Sequence, residues 1–172
     1  MKKVAWREAQ ELTEFRKVAP GGYIARIVNA KDEPTKEYLK IEYDIAEGPL
    51  KDIYVEQYEK FKNWNGRFFR SYKEKALGFF KNFITTVEKG NQGYIFNDDE
   101  KTLVGKYIGV ILGLEEYTKT TGEIGVRIYV ANVVTPECIR KGEFKVPEVK
   151  KLKEKEISFT EIAEYDDDDL PF

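Results

Sequence analysis

Histidine is absent from these 172 residues, and Cys138 is the single cysteine. Together these absences remove most zinc sites, most nucleophile–base arrangements and any disulfide scaffold. One thiol fits a reducing compartment, with Cys138 expected as a small buried filler. Long apolar runs are missing too. Met1-Lys2-Lys3 opens no stretch of signal-peptide length, and nowhere do apolar residues approach the ~18 that a membrane-spanning helix needs. The expected protein is soluble and cytoplasmic, without a membrane partner. No P-loop-type glycine run is present and no cofactor is expected.

What is present is charge, unevenly placed. The net charge is −2, from 29 bases and 31 acids. Glu161, Glu164, Asp166, Asp167, Asp168 and Asp169 hold six of those acids, so the body carries 29 bases against 25 acids, a net +4. A mildly basic body with an acidic end suits a binder of polyanions. The end itself reads Asp166-Asp167-Asp168-Asp169-Leu170-Pro171-Phe172. Like charges in a row repel and stay solvated, while Phe172 offers a ring and the free carboxylate to a basic pocket. Four successive carboxylates on such a tail do not converge on one metal ion without a scaffold, so no metal site is expected there.

Residues 1–21 read as an N-terminal extension, with Trp6 plugging one end of the core, and Pro20-Gly21-Gly22 breaks the chain. A strand is expected over 23–28, followed by a polar turn over 29–36. Residues 38–45 alternate, with Leu39, Ile41, Tyr43 and Ile45 on one face and Tyr38, Lys40, Glu42 and Asp44 on the other, as a half-buried strand does. A third strand is expected over 53–58, where Ile53, Val55 and Gln57 oppose Tyr54, Glu56 and Tyr58. Ser71 and Glu74 have capping-box spacing, which starts a helix near Tyr72. Its stripe is Tyr72, Ala76, Phe79, Phe80, Phe83, Ile84 and Val87, ending at Gly90.

Asn97-Asp98-Asp99 marks a turn. Two more strands, over 106–116 and 126–134, flank a hairpin loop over 117–125, and Gly109 and Gly113 suggest a bend or bulge. Phe144, Val146 and Pro147 are the last expected anchors before a charged linker. The order of three strands, one helix and two strands points to a mainly β (α+β) OB-fold. This is a five-stranded barrel with one helix between strands 3 and 4. Other small α+β folds share that order. The expected division is 1–21 extension, 22–147 nucleic-acid-binding domain and 148–172 linker with acidic tail.

The stretch from Lys60 to Lys73 alternates bases with aromatics and contains no acid. Single-stranded nucleic acid needs both: cations replace phosphate counterions, and flat rings stack on unpaired bases at ~1 to 3 kcal/mol per base. The expected stacking residues are Trp64, then Phe61, Tyr58 and Tyr54. The expected phosphate contacts are Lys62, Arg67, Arg70, Lys73 and Lys75, with Tyr117, Lys119 and Arg127 as an opposite wall. Stacking and phosphate contacts tolerate any base sequence, and nothing in the chain argues for catalysis.

The tail resembles that of bacterial single-stranded-DNA-binding proteins, which end in an acidic run closed by a small apolar residue, proline and phenylalanine. The body is also similar to small phage- and prophage-encoded proteins of replication or recombination gene clusters. That likeness lies in Pro20-Gly21-Gly22-Tyr23, Tyr38-Leu39-Lys40-Ile41-Glu42-Tyr43 and the Leu-Pro-Phe end. The resemblance implies a coat for single-stranded DNA whose residues 166–172 recruit replication or recombination proteins and compete with DNA for the groove. The linker here is short and Lys/Glu-rich, unlike the long Gly/Pro/Gln linker of the bacterial housekeeping protein. A homo-oligomer is left open. The rival readings are a tail-bearing adaptor that binds no nucleic acid and a DNA-processing enzyme.

Overall fold

A computed structural model describes residues 1–8 and 16–152. The acidic end, residues 166–172, lies outside the described residues. Five antiparallel strands form one sheet: β1 (Gly21–Glu33), β2 (Tyr38–Ile45), β3 (Arg67–Ser71), β4 (Tyr107–Thr118) and β5 (Ile124–Val134). Their order is β3-β2-β1-β4-β5. Helices α1 (Ile53–Phe61), α2 (Leu77–Gly90) and α3 (Pro136–Arg140) occupy the connections and the end of the domain. The chain is mainly β, as expected, with α1 and α3 in addition to the single helix expected. Among the described residues no helix is long and apolar enough to cross a membrane.

β1 is the organising strand. Its first half, Gly21 to Arg26, pairs with β4, and its second half, Ala25 to Glu33, pairs with β2. A bulge between Ile27 and Asn29 re-aims the side chains where the two halves meet. The strand therefore includes Gly21 and Gly22 and runs through the stretch expected as a turn, leaving only residues 34–37 for the connection to β2.

The core lies on one face of the sheet. Leu39, Ile41, Tyr43 and Ile45 are buried there as the alternation of β2 requires, together with Ile27, Ile108, Val110 and Leu112. Phe83 and Val87 of α2 close over them. Phe79, expected in that stripe, is 67% exposed. Asn91 ends α2 and ties it to β4: its amide donates to the carbonyls of Val87 and Tyr107, and its Oδ1 accepts from the Tyr107 N–H.

Two elements differ from expectation. Residues 53–58 are helical, and their burial has the helical spacing Ile53, Tyr54, Gln57. Asp44, expected on the wet face of β2, explains why. Its carboxylate is buried and accepts from the backbone N–H groups of Ile45, Tyr54 and Val55 at 2.8, 3.0 and 3.0 Å. It therefore satisfies the first turn of α1 from across the loop. Burial pushes the Asp44 carboxyl above its usual range against the pull of these three donors. The true third strand is Arg67–Ser71, inside the stretch expected to be a binding loop.

The helix expected from Tyr72 begins instead at Leu77, after a 3-10 turn over Glu74–Ala76. Ser71 makes no capping box: its hydroxyl accepts from the Lys73 N–H and donates to the Glu37 carbonyl. Trp6 is 65% exposed and plugs nothing.

Candidate nucleic-acid interface

The outer surface of the sheet is divided. Over β1 and β4 it is covered by α3 and the residues that follow. Glycines make room for this cover: a Cβ at Gly22 would fall within the Phe144 ring, one at Gly109 would lie 2.6 Å from Ile139, and one at Gly113 would lie 2.9 Å from Pro147. Ile24 and Ile111, which alternate with core residues, are accordingly buried on this outer side. Phe144 and Pro147 thus serve as the anchors expected of them. Gly109 and Gly113 serve close packing, while the bulge of the β4–β5 ladder falls between Ile111 and Leu112.

Over the second half of β1, β2 and β3 the outer face carries a small grid. Cross-strand register places Asn29, Glu42 and Arg67 in one row, Lys31, Lys40 and Phe69 in the next, and Glu33, Tyr38 and Ser71 in the third. Tyr38 and Phe69 are half-buried and meet edge to face, ring centroids 5.2 Å apart. Arg67, Lys31 and Asn29 are exposed. This surface combines flat rings with cations on rigid strands. Tyr38, Phe69, Lys31 and Lys40 were not among the expected contacts. In sequence Tyr38 and Lys40 look like the wet side of an ordinary strand, Lys31 like part of a turn and Phe69 like part of a basic loop.

The expected residues are distributed around this grid as follows. Tyr54 is buried, edge-on to Tyr43 at 5.5 Å, and offers no stacking surface. Trp64 is half-buried among Tyr54 and Tyr58, and its Nε1 donates to the carbonyls of Tyr43 at 3.2 Å and Gly66 at 2.9 Å. The indole therefore fastens the end of the β2–β3 ladder and is not the outward ring that a turn position suggested. Tyr58 and Phe61, 44% and 61% exposed, form the outer side of this cluster. The exposed Lys62 holds its Nζ 5.9 Å above the Tyr58 ring.

Arg67 and Arg70 point to opposite sides of β3. Arg67 is exposed beside Glu42, as a phosphate contact requires. Arg70 faces the core, 4.7 and 5.5 Å from the Phe68 and Phe83 rings, and donates to the Phe69 carbonyl. Burial brings its guanidinium down to about 10, and it is unavailable to a phosphate. Lys73, half-exposed, and Lys75, exposed, follow β3 at the 3-10 turn.

The last hairpin forms a separate cluster. Arg127 lies 5.0 Å over the Tyr117 ring and donates from Nε to Glu115 at 2.8 Å. Gly125 leaves space for the Tyr117 ring and the Lys119 stem to lie across the strand. Lys119 opens the turn, accepting from Gly122 and donating to Glu123 through its backbone. The strands extend to Thr118 and from Ile124, so the loop is shorter than expected.

Cys138 is half-buried and accepts a hydrogen bond from the Thr135 hydroxyl at 3.2 Å. Among the described residues no group of three or more His, Cys, Asp or Glu side chains is arranged to hold a metal ion. The sequence matches no protein-family model, and no curated protein matches it.

Proposed function

We propose that this chain is a non-enzymatic OB-type protein that binds single-stranded DNA without sequence preference, across the open outer face of β1, β2 and β3. The strand order, with one long bulged strand shared between two halves of the sheet, fits an OB barrel left open between β3 and β5. The observation that carries the reading is the Tyr38–Phe69 ring pair set beside Arg67 on a sheet face that no described element covers. Stacked rings accept any base, and cations neutralise the backbone that follows it. Tyr58, Phe61 and Lys62 extend the surface beyond the β2–β3 end, and Tyr117, Lys119 and Arg127 supply a second wall.

Residues 166–172 complete the proposal as a recruiting tail for replication or recombination proteins and a competitor for the binding face. Deleting them is expected to leave DNA affinity unchanged or raised. A markedly weaker truncated protein would refute the competition.

The direct test is titration of labelled oligo-dT at low and high salt, with the anisotropy of the label as reporter. Micromolar or tighter binding that weakens with salt is expected, without cleavage on addition of Mg²⁺. No binding at low salt would favour the adaptor reading, and divalent-dependent product would favour a DNA-processing enzyme.

A further inference from the structure

Lys31 and Lys40 stand directly opposite each other across the β1–β2 ladder, on the open face. Like charges in that relation destabilise a sheet. Each is tethered by a glutamate two residues along its own strand: Lys31 to Glu33 at 2.7 Å and Lys40 to Glu42 at 3.3 Å. Two cations thus lie side by side next to Phe69, flanked on either side by their own counterions. Arg67, across from Glu42, is exposed and makes no ion pair within 4 Å among the described residues.

We infer that Lys31 and Lys40 form a phosphodiester seat that Glu33 and Glu42 hold shut, so that a polyanion is admitted only when bases stacked on Tyr38 and Phe69 add to the interaction. The seat rests on the reading of this face as a single-strand binder. A phosphate bridging the two ammonium groups replaces both carboxylates and relieves the like-charge opposition in one step. Because the carboxylates are already present, charge alone gains little from the exchange. A ligand without exposed bases, such as duplex DNA or inorganic polyphosphate, lacks the stacking contribution and is refused. The carboxylates thereby set a threshold for binding that strands with exposed bases clear through stacking.

The experiment compares the full-length protein with Glu33→Gln/Glu42→Gln, using oligo-dT, duplex DNA and inorganic polyphosphate as probes. Releasing the two pairs, Lys31–Glu33 partly exposed and Lys40–Glu42 half-buried, is expected to raise affinity for all three by about 10-fold, taking ~2- to 5-fold per pair. The two probes without exposed bases should move from undetectable to measurable. The salt dependence for oligo-dT should steepen by about 0.7 per lysine released. Adding Lys31→Gln and Lys40→Gln should abolish the gain. Glu47→Gln/Glu137→Gln, which frees Arg140 and Lys141 from pairs of 2.9 and 3.0 Å away from this face and changes the net charge by the same amount, serves as the control for net charge.

A gain equal to that of Glu47→Gln/Glu137→Gln, or no gain with any probe, overturns the seat. If oligo-dT binds but none of the three probes responds to the substitutions, the seat fails while the single-strand reading stands. If polyphosphate responds and oligo-dT does not bind at all, the seat stands and the reading fails.

Discussion

Strand β1 serves two surfaces with different fates. Where it pairs with β4, the outer face is opened by Gly22 and Gly109 and then filled by Phe144 and Ile139. Where it pairs with β2, the outer face keeps Lys31, Lys40, Tyr38 and Phe69 and receives no such cover among the described residues. Alternation exposes one side chain in two in both halves. What differs is whether the exposed position is cut back to hydrogen, which lets another segment dock, or is given a ring or a charge that works against water. The covered half contributes stability and the open half presents chemistry.

That contrast can be broken from either side. Removing both rings of the open half, Tyr38→Ala/Phe69→Ala, should weaken oligo-dT binding at least about 30-fold, since each stacked base is worth ~1 to 3 kcal/mol. Both rings are half-buried and packed on each other, so some stability is lost as well, and affinity is compared on protein that remains folded. Affinity titration and urea unfolding on one preparation check both statements. Gly109→Ala should do the reverse. Its Cβ would press on the Thr135 carbonyl at 2.8 Å as well as on Ile139, costing ~1 to 3 kcal/mol of stability. DNA affinity of the folded protein should be kept.

The two arginines of β3 sharpen the same comparison within one strand. Arg67→Gln should lower affinity ~2- to 5-fold and make the salt slope shallower by about 0.7. Arg70→Gln should leave the slope unchanged and lower stability, since it removes a buried group from the Phe68 and Phe83 rings. The smallest effect is expected for Trp64→Phe. It retains a ring but loses the bonds to the Tyr43 and Gly66 carbonyls, costing about 1 kcal/mol of stability with little change in affinity.

The parts legible in the sequence are those whose signal is local. β2 is readable because one face is buried and the other wet. β4 and β5 are readable as Ile/Val-rich runs about a polar turn, and α2 by its Phe80, Phe83, Ile84 and Val87 stripe. α1 was not readable: over six residues the pattern from Ile53 to Tyr58 satisfies a period of two as well as a helix. The deciding acceptor, Asp44, lies nine residues before the helix begins. β3 was hidden by an inward arginine, since Arg67-Phe68-Phe69-Arg70 looks like a basic loop until Arg70 is seen beneath α2.

The candidate site was legible in kind, as rings mixed with cations, and misplaced in position. Tyr54 and Arg70 turned inward and Trp64 became a fastening. The open grid depends on which half of the sheet α3 covers, and that is set by packing between distant segments.

The most direct test of the central claim is ultraviolet cross-linking of oligo-dT to the full-length protein, with adducts mapped by mass spectrometry. Adducts are predicted at Tyr38 and Phe69 of the open face, with Tyr58 at its margin. Adducts confined to the covered half, at Tyr107 or Phe144, or no adducts under conditions where the strand is bound, would contradict it.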